Sequence, residues 1–209
     1  MEKIINKIKK HKIISIIRIN ESSQIESIVE SLYKGGIRIV EVTLNTPNAF
    51  EAIKKIRKIY PDMIVGAGTV LDEMSAKLAI DSGASFLLSP ILDKKTIELS
   101  NRYNILMVPG VLTPTEALTA YNYGARMIKV FPARSLRPSY ISDLKGPLPQ
   151  LDIMAVGGVS LENSEEFLSK GCCSLGIGGS IVNNYDIEKG NFSEIENKAK
   201  KFVEIAKNI

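Results

Sequence analysis

The sequence predicts a parallel (β/α)8 TIM barrel carrying a short extra N-terminal helix, as a single barrel domain over residues 1–209. Three observations predict it. Short apolar, β-branched runs alternate with amphipathic stretches along the whole chain, which is the pattern of consecutive βα units. Eight such units follow one another without interruption, and that number closes a barrel with helices outside. The open doubly wound sheet, the nearest competitor, lacks its signals: no run reads as an edge strand, and GIGGSI at 176–181 does not fit G-x-G-x-x-G or precede an acidic residue at the usual distance. A chain of 209 residues is lean for this fold and leaves room for short loops only.

The N-terminal segment alternates lysines with apolar residues at helical spacing, giving the extra helix a solvated face. Strand candidates follow at 13–19 (IISIIRI), 38–44 (RIVEVTL), 63–69 (MIVGAGT), 86–90 (FLLSP), 105–110 (ILMVPG), 127–132 (MIKVFP), 152–158 (DIMAVGG) and 174–179 (SLGIGG). Between the first two, Ile25, Ile28, Val29 and Leu32 recur on one helical face. Thr46-Pro47 is expected to open the next helix as cap and first-turn proline. Thr113 and Glu116 have the spacing of a capping box. Ile195, Ala199, Phe202, Val203 and Ala206 line one side of the closing helix. Gly35-Gly36, Gly83, Gly124 and Gly171 fall where helices should end and turn back to the sheet.

Composition removes several functions. Apolar residues make up 44% and charged residues 24%, ordinary values for a globular protein, and the net charge of +4 is mild. The lysines lie at helical spacing without interleaved aromatic or arginine readers, so no nucleic-acid partner is expected. No run is long enough to span a membrane, and IISIIRI is interrupted by Arg18 and lacks a cleavage site, so neither a membrane nor a secretory role is expected. Cys172 and Cys173 are adjacent and read as small buried hydrophobes in a reducing cytoplasm. The one histidine, His11, sits outside every strand end and reads as a surface residue; it supplies neither a zinc cluster nor a Ser-His-Asp triad.

Charged residues inside strands need a reason. With a period of two, Lys129 shares a face with Met127 and Phe131, and Glu41 shares one with Thr43 and Asn45. The opposite faces are apolar and should meet the helices, so Lys129 and Glu41 should point into the barrel, where eight strands leave room for long side chains to approach. Arg18 and Thr69 add polar groups near the C-terminal ends of the first and third strands. One reading is a buried Lys–Glu salt bridge, a weak stabiliser. The other is a desolvated amine with a depressed pKa, able to form Schiff bases with carbonyl substrates, beside a carboxylate that shuttles protons. Gly157-Gly158 and Gly176-Ile177-Gly178-Gly179-Ser180 follow the last two strands, where this fold frequently cradles phosphate on backbone N–H groups; tight βα turns alone are the plainer reading.

The motifs EVTLNTPNAFEAI at 41–53, VGAGTVL at 65–71, LLSP at 87–90, PGVLTPTEA at 109–117, IKVFPA at 128–133, AVGGVS at 155–160 and IGGS at 177–180 resemble the class I 2-keto-3-deoxy-6-phosphogluconate (KDPG) and 2-keto-4-hydroxyglutarate (KHG) aldolase family over nearly the full length. The resemblance implies a homotrimeric, metal-free, cofactor-free barrel that cleaves a keto-acid phosphate to pyruvate and glyceraldehyde 3-phosphate. It makes Lys129 the Schiff-base lysine and Glu41 the proton carrier. It also places Thr69 and Pro90 at the pyruvate, Phe131 in the substrate pocket, and Gly157, Gly158, Gly179 and Ser180 at the phosphate. Two positions depart from familiar members: Asn45 replaces a carboxylate-binding arginine, whose charge Arg18 could supply, and Val156 replaces a threonine. LNTP and AVGGV look closer to the related 6-phosphogalactonate branch.

Overall fold

The computed structural model describes residues 1–209. Nine parallel strands form one sheet: β1 (Ile13–Ile17), β2 (Ile39–Thr43), β3 (Ile64–Gly68), β4 (Phe86–Leu88), β5 (Leu106–Val108), β6 (Gly110–Val111), β7 (Met127–Val130), β8 (Asp152–Val156) and β9 (Ser174–Ile177). Strand β1 pairs with both β2 and β9, so first and last strands meet. The sheet runs β5-β4-β3-β2-β1-β9-β8-β7-β6.

Its one break lies between β5 and β6, at Pro109, and explains the count. Proline carries no N–H and cannot continue a ladder on the donor side. The chain therefore pairs with β4 before Pro109 and with β7 after it. The Pro109 carbonyl still accepts from the Lys129 N–H at 2.9 Å. The two segments make one stave of the barrel, the fifth of the eight expected.

Ten helices surround the strands: α1 (Glu2–His11), α2 (Ile25–Lys34), α3 (Ala49–Ile59), α4 (Glu73–Asp81), α5 (Lys94–Arg102), α6 (Pro114–Asn122), α7 (Ser139–Lys145), α8 (Leu161–Ser169), α9 (Asn184–Glu188) and α10 (Phe192–Lys207). The Thr113–Glu116 capping box forms at the start of α6. Gly36, Gly83, Gly124 and Gly171 take positive φ just beyond the helices they terminate. Thr46 departs from expectation. Helix α3 begins only after Asn48, which takes the left-handed conformation an asparagine tolerates. Thr46 is instead buried, its Oγ1 accepting from the Ile19 N–H at 3.4 Å and lying 3.2 Å from Thr43 Oγ1. It joins the ends of β1 and β2.

Two cores result from the two faces of the strands. The outer one, of 49 buried residues, fills the space between sheet and helices. The inner one has only 13, because the inward positions nearer the mouth include Glu41, Lys129, Gly66 and Gly68 beside the apolar Ile16, Leu88, Val108 and Val156. Ile14, Ile39, Ile64, Phe86, Leu106, Met127 and Met154 fill the lower barrel. Helix α1 closes its N-terminal end: Ile5 and Ile8 are buried in the inner core, and Lys9 pairs with Asp152, the first residue of β8, at 2.7 Å. On the outside, Met74 and Leu78 share one side of α4 at i, i+4 spacing and are exposed, as are Leu71 just before that helix and Ile91 and Leu112 in the next two loops. No helix is long and apolar enough to cross a membrane.

Candidate active site

Above the lower apolar layer, the inward positions change character. Glu41 stands in register with Gly66 of β3, and Lys129 with Gly110 of β6 and Met154 of β8. The strand glycines make room for neighbours. A Cβ on Gly66 would run into the Phe86 ring, 2.6 Å from Cε1. A Cβ on Gly68 would overlap Glu41 Oε1 outright and lie 2.6 Å from its Cγ. The Glu41 carboxylate thus occupies the place where a side chain of β3 would otherwise be.

Glu41 is 1% exposed and Lys129 5% exposed, yet no ion pair joins them within 4.0 Å. Glu41 Oε2 is buried without a hydrogen-bond partner. A closed structural salt bridge, the alternative open from sequence, is therefore not what the barrel contains. Burial pushes the Glu41 carboxyl above the usual carboxylate range, an effect the positive charges of Lys129 and Arg18 only partly offset. Burial likewise holds the Lys129 ammonium below the usual lysine range; Glu41 opposes that shift and Arg18 adds to it. The Lys129 Nζ lies 4.6 Å from the centroid of the Phe131 ring on the same strand face. Burial thus favours the neutral form of both the amine and the carboxyl.

Both open into a cleft of about 560 Å³ at the C-terminal mouth of the barrel. Arg18, Glu41, Lys129, Phe131, Gly157, Gly158, Gly179 and Ser180 all line it. Thr69 joins through Arg18, whose Nη2 donates to Thr69 Oγ1 at 3.3 Å. Thr69 also has a φ of 58°, a strained value for a β-branched residue. Pro90 and Asn45 do not line the cleft: Pro90 is half-buried against Gly110, and Asn45 is exposed. His11 is half-buried far from the mouth, at the end of α1. The cysteines lie outside the cleft, their thiols pushed up by burial to about 12 for Cys172 and about 11 for Cys173.

The loops after β8 and β9 form the far side of the cleft. Gly157 and Gly158 have φ of 90° and 83°, values glycine adopts without strain. The N–H groups of Gly157, Gly158, Gly179 and Ser180 find no backbone acceptor. The Ser180 hydroxyl donates to the Val159 carbonyl at 2.7 Å, tying the two loops together. Ser180 therefore offers the cleft its amide and a hydroxyl lone pair, not a free O–H. A Cβ on Gly179 would meet nothing within 4 Å, so this edge stays open. Arg134, Asn183 and Asn184 also line the cleft and were not singled out from sequence. Arg134 carried one signal, a charge directly after the strand bearing Lys129; the two asparagines carried none.

The family model described as KDPG and KHG aldolase matches residues 4–198. The chain belongs to the KDPG and KHG aldolase family. It is 37% identical over 171 residues to the "Probable 2-dehydro-3-deoxy-6-phosphogalactonate aldolase" of Rhizobium meliloti, covering 81% of each chain. To the 2-dehydro-3-deoxy-phosphogluconate aldolase of Haemophilus influenzae it is 32% identical over 207 residues, covering 99% of this chain and 98% of the other. Among solved structures, the KDPG aldolase of Legionella pneumophila, with pyruvate captured as a covalent carbinolamine intermediate, superposes with a TM-score of 0.87. Its sequence identity is 28%, with coverage of 94% of this chain and 96% of that one. This aldolase thus carries its family's barrel over essentially its whole length.

Proposed function

We propose that this aldolase reversibly cleaves 2-keto-3-deoxy-6-phosphogluconate to pyruvate and glyceraldehyde 3-phosphate through a Schiff base on Lys129. The observation that carries the reading is the buried, unpaired Lys129 and Glu41 sharing one mouth-side cleft of an otherwise apolar barrel. The neutral Lys129 amine attacks the C2 keto carbon, and the Glu41 carboxyl protonates the departing carbinolamine hydroxyl, which leaves as water to give a protonated imine and a Glu41 carboxylate. The Glu41 carboxylate takes the proton from the C4 hydroxyl. The C3–C4 bond then breaks, its electron pair flows into the imine, and the aldehyde leaves. The enamine regains a proton at C3 from the Glu41 carboxyl, and water hydrolyses the imine to pyruvate and free Lys129. The imine is the electron sink, so these steps call for no metal ion or cofactor.

The rest of the cleft matches the ends of such a substrate. Arg18 with Thr69 supplies a cationic, hydrogen-bonding place for the keto-acid carboxylate, taking the role of the arginine that Asn45 replaces. The strained φ of Thr69 supports a functional position for it. The amides of Gly157, Gly158, Gly179 and Ser180 supply the phosphate cradle. Pro90 contributes from behind, holding the strand end opposite Gly110. The exposed apolar residues Leu71, Met74, Leu78, Ile91 and Leu112 support a homotrimer that covers them. The free thiols of Cys172 and Cys173 support a reducing cytoplasm.

A second substrate, 2-keto-3-deoxy-6-phosphogalactonate, is favoured by LNTP, by Val156 and by the 37% identity to the Rhizobium meliloti protein. It differs only in configuration at C4, and KHG, giving pyruvate and glyoxylate, is the unphosphorylated alternative. The test of the shared chemistry is reductive trapping with pyruvate and borohydride, followed by peptide mass spectrometry. A single adduct at Lys129, absent from Lys129→Ala, is the expected result. No adduct in the folded protein refutes the imine. Relative kcat/KM on the two phosphorylated epimers and KHG then selects the substrate.

A further inference from the structure

One cationic side chain in the cleft has no task in the reaction above. Arg134 stands in the single turn Ala133–Ser135, directly after β7 and its Lys129. Its backbone N–H donates to the Gly157 carbonyl at 2.7 Å, which hooks its main chain to the loop after β8. Its side chain lies across Gly158: a Cβ there would overlap the arginine Cβ and come within 3.3 Å of Nε. Gly158 is thus fixed as glycine both by its φ of 83° and by the arginine laid over it. Arg134 takes part in no ion pair.

The charges of the cleft are arranged in order. Arg18 sits beside Thr69, and Arg134 beside Gly157 and Gly158, with Glu41 the only carboxylate among the lining residues. Backbone N–H groups bring partial charges to an anion, whereas a guanidinium brings a full one in a fork that fits two phosphate oxygens. We infer that Arg134 is the specificity-determining residue for the phosphate end of the substrate, closing over the group that the glycine amides hold from below. The inference deepens the aldolase reading and rests on it. It assigns to Arg134 the discrimination between a phosphorylated keto-acid and the same sugar acid ending in a neutral hydroxyl.

The test compares cleavage of the 6-phosphorylated 2-keto-3-deoxy acid with cleavage of its unphosphorylated counterpart, in wild type, Arg134→Gln and Arg134→Lys. The ratio of kcat/KM, phosphorylated over unphosphorylated, is expected to fall about tenfold or more in Arg134→Gln, mainly through KM. Arg134→Lys should restore part of it, since a point charge remains without the fork. A ratio within about twofold of wild type in Arg134→Gln, or an equal loss on both substrates, overturns the assignment. If wild type cleaves neither substrate, the aldolase reading fails by itself. Calorimetric titration with glycerol 3-phosphate then decides Arg134 separately: about tenfold weaker binding by Arg134→Gln upholds it, whereas equal binding, or none by wild type, overturns it.

Discussion

Replacing Gly68 by alanine should disable this aldolase with a single methyl group that touches neither Lys129 nor the phosphate loops. Gly68 is the last residue of β3 and has no positive φ, so its backbone accepts alanine. The added Cβ would coincide with Glu41 Oε1 and lie 2.6 Å from Glu41 Cγ, so the carboxylate has to swing out of the place it now fills. Positioned proton transfer contributes about 10²–10⁴-fold to catalysis, and kcat for cleavage should fall by about that factor. Gly66→Ala is the control: its Cβ meets the Phe86 ring first, whereas that of Gly68→Ala meets Glu41. Overpacking of that kind costs about 1–3 kcal/mol. For a chain of 209 residues this is a fall of about 2–12 °C in Tm. Steady-state cleavage and thermal melts on both variants separate the two effects: Gly66→Ala should lose stability more than kcat, and Gly68→Ala the reverse. A folded Gly68→Ala variant with kcat within about threefold of wild type refutes the reasoning, since Glu41 would then be dispensable where it stands.

Three further outcomes are expected. The double variant Glu41→Gln/Lys129→Met should be inactive and more stable than wild type by about 1–4 kcal/mol, because it removes two buried ionisable groups that do not pair. The raised pKa of Glu41 makes its contribution to stability present in acid and lost as pH rises. The lowered pKa of Lys129 makes its contribution present in alkali and lost as pH falls. The gain of the double variant should therefore be largest between the ordinary carboxylate and lysine ranges and shrink towards both extremes; melts that show a pH-independent gain contradict the two shifts. Arg18→Ala should raise the KM for pyruvate in the condensation direction about tenfold or more, and an unchanged KM removes Arg18 from the site. Ile8→Ala, at a fully buried position of α1, should cost about 2–5 kcal/mol in denaturant melts; a loss under about 1 kcal/mol would mean α1 only loosely caps the barrel.

Most of the architecture was legible because parallel strands and helix faces write themselves into local periodicity. The inward direction of Lys129 and Glu41 followed from a period of two, and glycines marked the helix ends. Where local rules failed, a tertiary partner had intervened. Thr46 has every local feature of a helix cap, yet the meeting of β1 and β2 takes its hydroxyl, and Asn48 begins the helix instead. Pro109 interrupts a stave whose two halves serve different neighbours, which strand propensity cannot anticipate. The Ser180 hydroxyl is held by the Val159 carbonyl, a contact across two loops that sequence spacing does not show. Arg134 went unnoticed because its significance lies in Gly158, a residue 24 positions later in the chain and adjacent only once the barrel closes.

Helix α1 seats Ile5 and Ile8 in the end of the barrel opposite the cleft, which makes the active site a blind tube with one doorway. Lys129 sits deep in it, so whatever bonds to that lysine is the innermost passenger. In the proposed cleavage, the aldehyde fragment departs before water reaches the imine behind it and releases it. In the proposed condensation, the keto acid enters first, and an aldehyde phosphate that arrives early bars the way. On the proposed reaction, a plug of two isoleucines thereby gives the traffic of keto acid and aldehyde a fixed order, without any moving part.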